Sequence, residues 1–303
     1  MLLVFRLPLL VAFLFILSSA NALAQAKVVT SIKPLQLIAA AITDGVSTPS
    51  ALIPDNQSPH HFSLRPSDVR RMLEADVLIW VGPGLETYLA RAVTQSAQNA
   101  QVIETAQLEE MFLLDLQEAD HSHAHAHDDN HPYDPHLWLN TDNALLIAQS
   151  LLEALVAKDS ANAHIYRDNF ARFESDILAL SLQLRDQFLP LQGSQYAVYH
   201  NGTQYLEQQL GLAHLFVLAP DHEQQPGIRH LLSVREQVEA LQPHCLLTDI
   251  NANDATINTV FQNREIRQAS LDTLGASIEV SRDAYQRLIQ GLSQSVYQCL
   301  SPQ

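Results

Sequence analysis

Histidines alternate along one short stretch of this chain. Six of its 14 histidines lie between positions 121 and 136. Five of these belong to one acidic segment and are His121, His123, His125, His127 and His131. Neutral imidazole is a good ligand for zinc and other late first-row cations, and the carboxylates of Asp128 and Asp129 attract cations. Because alternation without cysteine does not define a tetrahedral site, the pattern predicts loose, exchangeable metal binding rather than accidental histidine enrichment.

Other candidate ligands follow predicted strands, at the edge where a parallel α/β domain binds its ligands. They are His60, His61, His136, His200, Asp249 and Asp254. Three neutral imidazoles with a carboxylate or a water make a plausible tetrahedral zinc site. A single histidine is more often an ordinary polar residue, so the shared placement is the observation that favours a site. The remaining histidines are interpreted as structural or exposed: His164, His214, His222, His230 and His244.

Strand-like runs alternate with helical stretches in both halves of the chain. In the first half, strands are predicted at 27–32, 51–54, 76–81 and 101–104, and helices at 34–43, 66–75 and 84–97. In the second half, strands are predicted at 195–199, 215–218, 245–248 and 265–270, and helices at 203–210, 231–241, 254–262 and 281–300. This alternation predicts parallel α/β lobes.

A long helix is predicted between the halves, because residues 160–189 contain neither glycine nor proline. Apolar side chains recur there at spacings of three and four and form one stripe. At 1.5 Å per residue, about 30 residues span roughly 45 Å, which is enough to run along both lobes. Two shorter helices with a kink are the alternative. The predicted boundaries are 27–158 for the N-terminal lobe with a His-rich loop at 118–134, 159–190 for the linking helix, and 191–303 for the C-terminal lobe.

The first 26 residues have the pattern of a cleaved secretory signal peptide: one early cation, an apolar run and small residues. Cleavage before Gln25 and cleavage before Lys27 both satisfy the rule for small residues, and an uncleaved membrane segment is the alternative. The formal net charge of the whole chain is -16. Such an acidic surface attracts cations and argues against a nucleic-acid partner. The chain is therefore expected to be exported and to bind cations.

Only two cysteines occur, Cys245 and Cys299. An oxidising compartment favours a bridge between them whenever geometry permits, with two buried thiols as the alternative. The bridge would hold the predicted C-terminal helix to the strand that begins near Leu246. We expect a structural disulfide rather than a metal ligand.

Several segments together resemble the metal-binding proteins that serve bacterial ABC importers, and most closely their zinc-specific ZnuA type. The segments are PHHFSLRPSD from Pro59, WVGP from Trp80, DPHLWL from Asp134, YHNGT from Tyr199 and QPG from Gln225. The resemblance covers nearly the whole mature chain in order. It implies two α/β lobes joined by one long helix, with the metal in the cleft between them. The acidic His-rich loop and the cysteine pair also match zinc-type members.

The resemblance further implies that His60, His136 and His200 are the imidazole ligands of one Zn(II) ion. In manganese-type relatives, glutamate tends to stand at the position of His200, so the histidine here favours zinc, in line with ligand preference. His61 is expected to face away from the site. Some zinc-type members carry glutamate at the position of Pro59, which leaves water, Asp249 or Asp254 as the fourth ligand.

These features together predict a periplasmic, non-catalytic zinc receptor with high affinity that delivers the ion to an inner-membrane ABC permease subunit. We expect a monomer. A secreted zinc hydrolase is the main alternative, since three histidines and a water would look the same around the ion. The chain lacks His-Glu-x-x-His and Gly-x-Ser-x-Gly, which argues against hydrolysis. A surface adhesin of the same fold is the second alternative.

Overall fold

The computed structural model describes residues 25–55, 57–115, 133–219, 226–250, 252–262 and 264–302. The predicted signal peptide and the alternating histidines at 121–131 therefore lie outside the described residues, apart from positions 25 and 26. The N-terminal part contains four parallel strands in the order β2-β1-β3-β4. They are β1 (Val28–Thr30), β2 (Ser50–Ala51), β3 (Val77–Trp80) and β4 (Gln101–Glu104). Every residue of β3 is buried, as expected for a central strand covered on both faces.

Four helices accompany this sheet: α1 (Lys33–Thr43), α2 (Pro66–Leu73), α3 (Thr87–Ser96) and α4 (Thr141–Lys158). Helix α4 is absent from the predicted elements. Its N-terminus is capped by the side-chain oxygen of Asn140, which accepts hydrogen bonds from the backbone N–H groups of Asp142 (2.9 Å) and Asn143 (3.0 Å). Its buried apolar positions recur at spacings of three and four, so the sequence did contain the signal for this helix.

The predicted linking helix is present as one continuous helix, α5 (Ala163–Phe188). Short 3₁₀ turns at Ser160–Asn162 and Leu189–Leu191 extend it at both ends, which accounts for the slightly longer predicted range. Its buried residues include Tyr166, Phe173 and Ile177, on the stripe that the sequence predicts. At 26 residues, α5 is about 39 Å long. The prediction of one helix is confirmed, and the alternative of two shorter helices is wrong.

The C-terminal part contains three parallel strands in the order β5-β6-β7: β5 (Tyr196–Val198), β6 (Cys245–Asp249) and β7 (Arg267–Leu271). Its helices are α6 (Gln204–Leu210), α7 (Ile228–Leu241), α8 (Asp254–Phe261) and α9 (Ala284–Leu300). The strand predicted at 215–218 is reduced to one parallel bridge between Val198 and Val217. That prediction is wrong as a full strand, although the segment does bond to the edge of β5 through backbone hydrogen bonds.

One hydrophobic core joins the inner faces of both sheets. Val28 and Val77 of the first sheet belong to the same cluster of buried side chains as Val198 and Leu247 of the second. Helices α1, α4, α5, α6 and α9 contribute to this shared core, and α1 and α5 each pack against α4 and α9. Two smaller clusters cover the outer faces, with α2 and α3 on the first sheet and α7 and α8 on the second. The two lobes are therefore packed together through apolar helices.

The predicted α/β class is confirmed. In both sheets, connections that follow the carboxyl ends of strands carry histidines. Among the described helices, none is both long and apolar enough to cross a membrane.

Cys245 and Cys299 form a disulfide, which confirms the predicted bridge. Their Cα atoms are 5.7 Å apart, and the two cysteines are 54 positions apart along the chain. The bond joins the central strand of the C-terminal sheet to the last turn of α9, inside the shared core. Because Cys245 is the first residue of β6, the disulfide lies at the amino end of this strand and has a structural role.

We expect replacement of both cysteines by serine to lower the free energy of unfolding by about 2–4 kcal/mol, because the unfolded chain regains the freedom that the closed loop removes. Urea denaturation of the oxidised protein and of the double variant measures the difference. Titration of thiols in the unfolded, unreduced protein is the control. Two reactive thiols there would contradict the bridge.

Candidate metal centre

The three histidines that the sequence places at strand ends meet at one place in the structure. His60 lies in the connection from β2 to α2, His136 in the connection from β4 to α4, and His200 in the connection from β5 to α6. The ring centroid of His136 is 5.7 Å from that of His60 and 5.7 Å from that of His200. His136 is buried, and the other two rings are half-buried. The N-terminal lobe thus supplies two imidazoles and the C-terminal lobe supplies one.

These spacings are close to those of a zinc centre. Two imidazoles bound to one tetrahedral zinc ion, with Zn–N bonds of about 2 Å, have ring centroids about 5 Å apart. The observed distances are slightly longer, and within the described ranges no three His, Cys, Asp or Glu side chains are already arranged at coordination distance. Small rotations of the rings would close the difference. The geometry is that of an open cluster of imidazoles.

A buried carboxylate orients the central ring. Asp134 Oδ1 lies 2.7 Å from His136 Nδ1 and also accepts a hydrogen bond of 2.9 Å from the backbone N–H of His136. An ionised carboxylate can only accept, so a neutral ring in this position carries its proton on Nδ1 and leaves the lone pair on Nε2. Carboxylate–histidine pairs of this kind fix the tautomer and the orientation of metal-binding rings. Asp134 was missed as a site residue, although it stands two positions before His136 in the sequence.

Gly202 leaves the space between two of the rings open. A Cβ atom on Gly202 would lie 2.9 Å from His200 Nδ1 and 3.3 Å from His136 Nε2. A side chain there would collide with one nitrogen and fill the space in front of the other. Glycine suits this position because imidazole nitrogens from both lobes approach the backbone closely.

Three carboxylates stand at or just after the carboxyl ends of strands β6 and β7. Asp249 is the last residue of β6 and Asp254 is the first residue of α8, as their predicted positions require. Asp272, which follows β7, is a further carboxylate that the sequence candidates omit. Its Oδ2 accepts a hydrogen bond of 3.2 Å from the backbone N–H of Ser277, whereas its Oδ1 is buried without a hydrogen-bond partner in the described structure.

Asp272 is connected to the imidazole cluster through its neighbour. The indole N–H of Trp138 donates a hydrogen bond of 3.0 Å to the carbonyl of Thr273, and the Trp138 ring lies 5.4 Å from the His136 ring. Asp272 stands at the carboxyl end of a strand, as Asp249 does, so the strand-end rule that selected the other candidates also applies to Asp272.

The other histidines lie elsewhere or have structural partners. His61 is exposed. His214 Nδ1 lies 2.8 Å from a carboxylate oxygen of Glu207, and His230 Nε2 lies 2.9 Å from the carbonyl oxygen of Leu218. His164 and His244 are exposed. The candidates at 121–131 and His222 lie outside the described residues.

A model of the family "Zinc-uptake complex component A periplasmic", ZnuA, matches residues 28–299. The chain belongs to the ZnuA family. This confirms the family that the sequence motifs resemble.

Two relatives, each named high-affinity zinc uptake system protein ZnuA, are similar over almost their whole length. The protein from Yersinia pestis is 34% identical over 307 residues, which cover 96% of this chain and 96% of the relative. The protein from Haemophilus ducreyi is 29% identical over 292 residues, which cover 92% of this chain and 94% of the relative. Both matches thus cover more than nine-tenths of this chain and of the relative.

Solved structures share the fold. A crystal structure of ZnuA superposes with a TM-score of 0.76 at 19% identity and covers 91% of this chain and 100% of that chain. A structure of FpvC from Pseudomonas aeruginosa in complex with Mn²⁺ superposes with a TM-score of 0.75 at 19% identity, covering 91% of this chain and 98% of that chain. At these identities the likeness establishes the fold alone.

A buried acid, Glu86, lies in the connection that follows β3. Glu86 has no exposed surface, and its Oε2 accepts hydrogen bonds of 3.1 Å from the backbone N–H groups of Val81 and Gly82. Burial, helped by the charge of Glu104, raises the pKa of Glu86 to about 7 in spite of these donors. Burial also raises the pKa of Glu104.

We expect Glu86 to make folding stability depend on pH. Its pKa in the folded protein, about 7, exceeds the ordinary value of 4.5, so the folded state holds the proton more tightly. Stability therefore falls as pH rises from about 4.5 to about 7, by at most about 3 kcal/mol. Glu86→Gln keeps an acceptor for the two N–H groups and should flatten this dependence.

Urea denaturation of the wild type and of Glu86→Gln at pH 5, 6 and 8 tests this expectation. Glu174→Gln, on the exposed face of α5, is the matched control and should follow the wild type. An equal slope of stability against pH in all three proteins would show that Glu86 is ionised in the folded state.

Proposed function

We propose that this ZnuA-family protein is a periplasmic, high-affinity receptor that captures Zn(II) and delivers it to the ABC-type membrane permease for zinc uptake. The observation that carries the proposal is the convergence of His60, His136 and His200 from two lobes around His136, whose Nε2 is presented by the Asp134 carboxylate. Zinc is the cargo of this site. The two ZnuA relatives are named for zinc uptake, and this chain's own donor set supports the same ion.

Three imidazoles favour zinc over manganese, because carboxylate and water ligands suit manganese whereas imidazole suits zinc. The fold itself does not select the ion, since proteins of the same fold have been crystallised with Mn²⁺, Ni²⁺ and Zn(II). The fourth position in a tetrahedral shell would be taken by a water or by a carboxylate. Asp249 and Asp254 follow from the sequence, and the unpartnered buried oxygen adds Asp272 to these candidates.

Capture and release are proposed to involve small movements of the connections that carry His60 and His200. The shared core and helix α5 oppose a wide hinge opening, because separation of the lobes would expose apolar side chains to water. The half-buried rings of His60 and His200 lie on connections, whereas His136 is buried and braced by Asp134. We therefore propose that His136 is the fixed ligand and that the other two complete the shell as zinc arrives.

The proposal also includes export through the signal peptide at 1–26 and a monomeric state. It further includes the absence of a nucleic-acid partner and the absence of catalysis. The formal net charge of -16 favours cations over polyanions. Stoichiometric zinc binding without turnover of ester or peptide substrates would separate a receptor from a zinc hydrolase.

We expect single replacement of His60, His136 or His200 by alanine to lower zinc affinity by about 100-fold or more, because each change removes one ligand of the tetrahedral shell. The fold should persist, since the shared core is untouched. Competition with a chromogenic chelator measures affinity, and thermal unfolding of the zinc-free variants checks the fold. His61→Ala is the matched control next to His60, and it should bind as the wild type does. Near-wild-type affinity in any of the three variants would remove that histidine from the site.

The His-rich segment is proposed to supply additional, weaker zinc sites that gather the ion when it is scarce. The ends of the segment are fixed: Asp115 bridges to Tyr133, and the backbone N–H of Asp134 donates a hydrogen bond of 2.8 Å to the carbonyl of Leu114. A deletion between these ends keeps His136 in place.

We expect deletion of residues 118–130 to leave one tight zinc site per chain and to remove only weaker ones. The four residues that remain between Asp115 and Tyr133 are enough to connect an antiparallel pair. Isothermal titration calorimetry counts the sites in each class. A full-length variant with alanine in place of His121, His123, His125 and His127 is the control for shortening. Loss of the tightest site in both variants would assign that site to the segment.

A further inference from the structure

The hydroxyl group of Tyr205 connects both ends of the His-rich segment to the C-terminal lobe. Tyr205 lies on α6 and is fully buried. Its oxygen accepts a hydrogen bond of 3.0 Å from the backbone N–H of Leu114 and donates one of 2.9 Å to the carbonyl of Asp134. The phenol thus acts both as a donor and as an acceptor in hydrogen bonds with the backbone. Leu114 and Asp134 are themselves hydrogen-bonded to each other.

This contact fixes the residue that orients His136. The backbone N–H of Asp134 donates to Leu114, its carbonyl accepts from Tyr205, and its Oδ1 accepts from the backbone and from the ring of His136. A shift of the Asp134 backbone would therefore move the carboxylate away from His136 Nδ1. Of these bonds, the one from Tyr205 reaches across to the C-terminal lobe.

The same tyrosine is close in sequence to the ligand of the other lobe. Tyr205 is five residues after His200, and Gly202 in this short segment lies against the rings of His200 and His136. A displacement of α6 would change the position of both rings together. Burial raises the pKa of Tyr205, so the phenol keeps the proton that it donates to Asp134.

We propose that Tyr205 is a positioning residue for metal binding: its hydroxyl holds Asp134, and through it His136, in register with His200 across the two lobes. The inference rests on the proposed zinc site. Tyr205 does not contact the ion. Its hydroxyl keeps the two imidazoles at the spacing that one tetrahedral ion requires and keeps the Asp134 carboxylate in place at Nδ1 of His136, so that Nε2 faces the space between the rings.

Tyr205→Phe tests this proposal, because it removes one oxygen and keeps the ring that packs edge-on against Phe112. The matched control is Tyr166→Phe. The hydroxyl of Tyr166 is also buried and donates a hydrogen bond of 2.8 Å to the Asp159 carboxylate. This carboxylate also accepts a hydrogen bond from the backbone of Ala26, which precedes β1 at the opposite end of the N-terminal sheet. Both variants remove a buried hydroxyl group from a hydrogen-bonded position.

Zinc affinity is measured by chelator competition at a temperature where both variants are folded. We expect Tyr205→Phe to bind zinc about tenfold more weakly than the wild type, in the range seen when groups behind a metal ligand are changed. Tyr166→Phe should bind zinc within about twofold of the wild type, because the hydroxyl of Tyr166 contacts no residue that positions a metal ligand. Equal affinities in the two variants would overturn the positioning role.

Nitrogen NMR of the imidazole rings in the zinc-free protein gives a readout that a purely structural role would not change. In the wild type, His136 should carry its proton on Nδ1, and in Tyr205→Phe the form with the proton on Nε2 should gain population. A mixture of both forms in the wild type would overturn the proposal without reference to any variant.

The zinc affinity of His136→Ala separates failure of the proposed site from failure of the role of Tyr205. If His136→Ala retains full zinc affinity, the proposed site fails as well. If His136→Ala abolishes binding and Tyr205→Phe does not change it, only the role of Tyr205 is rejected.

Discussion

The apolar core shared by the two lobes is the constraint on which the candidate site depends. Leu37 of α1 and Leu288 of α9 both lie against Gly275, where an added Cβ would be 3.3 Å from each side chain. The long helix α5 packs against α1, α4 and α9 in the same cluster. Burial of apolar surface contributes about 25 cal/mol per Å², so the hydrophobic effect, which is the dominant force in folding, opposes separation of these helices. The edges that carry the histidines are therefore held at a fixed distance from each other.

Polar contacts complete this constraint at the end of the interface where the imidazoles lie. The indole of Trp138 donates to the carbonyl of Thr273, and the hydroxyl of Tyr285 donates to the carbonyl of Trp138 at 2.8 Å. In the same C-terminal segment, the carbonyl of Ala276 accepts a hydrogen bond of 2.9 Å from the buried ammonium of Lys33, which also pairs with Asp55, on the segment that leads to His60. Each contact satisfies a buried polar group, so it adds direction to an interface that apolar packing alone would leave less specific.

Most of the fold could be predicted because its signals are local. The stripe from Tyr166 to Phe188 predicts a single helix, and the buried runs of β1 and β3 predict central parallel strands. Helix α4, which is absent from the predicted elements, has the same periodicity. The segment at 215–218 differs for a physical reason: its residues have strand-like side chains, but it bonds only to the edge of β5 and forms one bridge. Strand length depends on partners, which a local pattern does not contain.

By itself, the sequence determined which side chains are chemically able to bind zinc and at which strand ends they stand, because ligand type and hydrophobic period belong to single residues and short windows. It also determined the disulfide partners, since only two cysteines are present. Only the tertiary structure decided that Asp134 sets the tautomer of His136, that Gly202 leaves room between two rings, and that Tyr205 meets Asp134 across 71 positions of sequence. These contacts arise where two lobes meet, and their geometry follows from the packing of the shared core rather than from any local pattern.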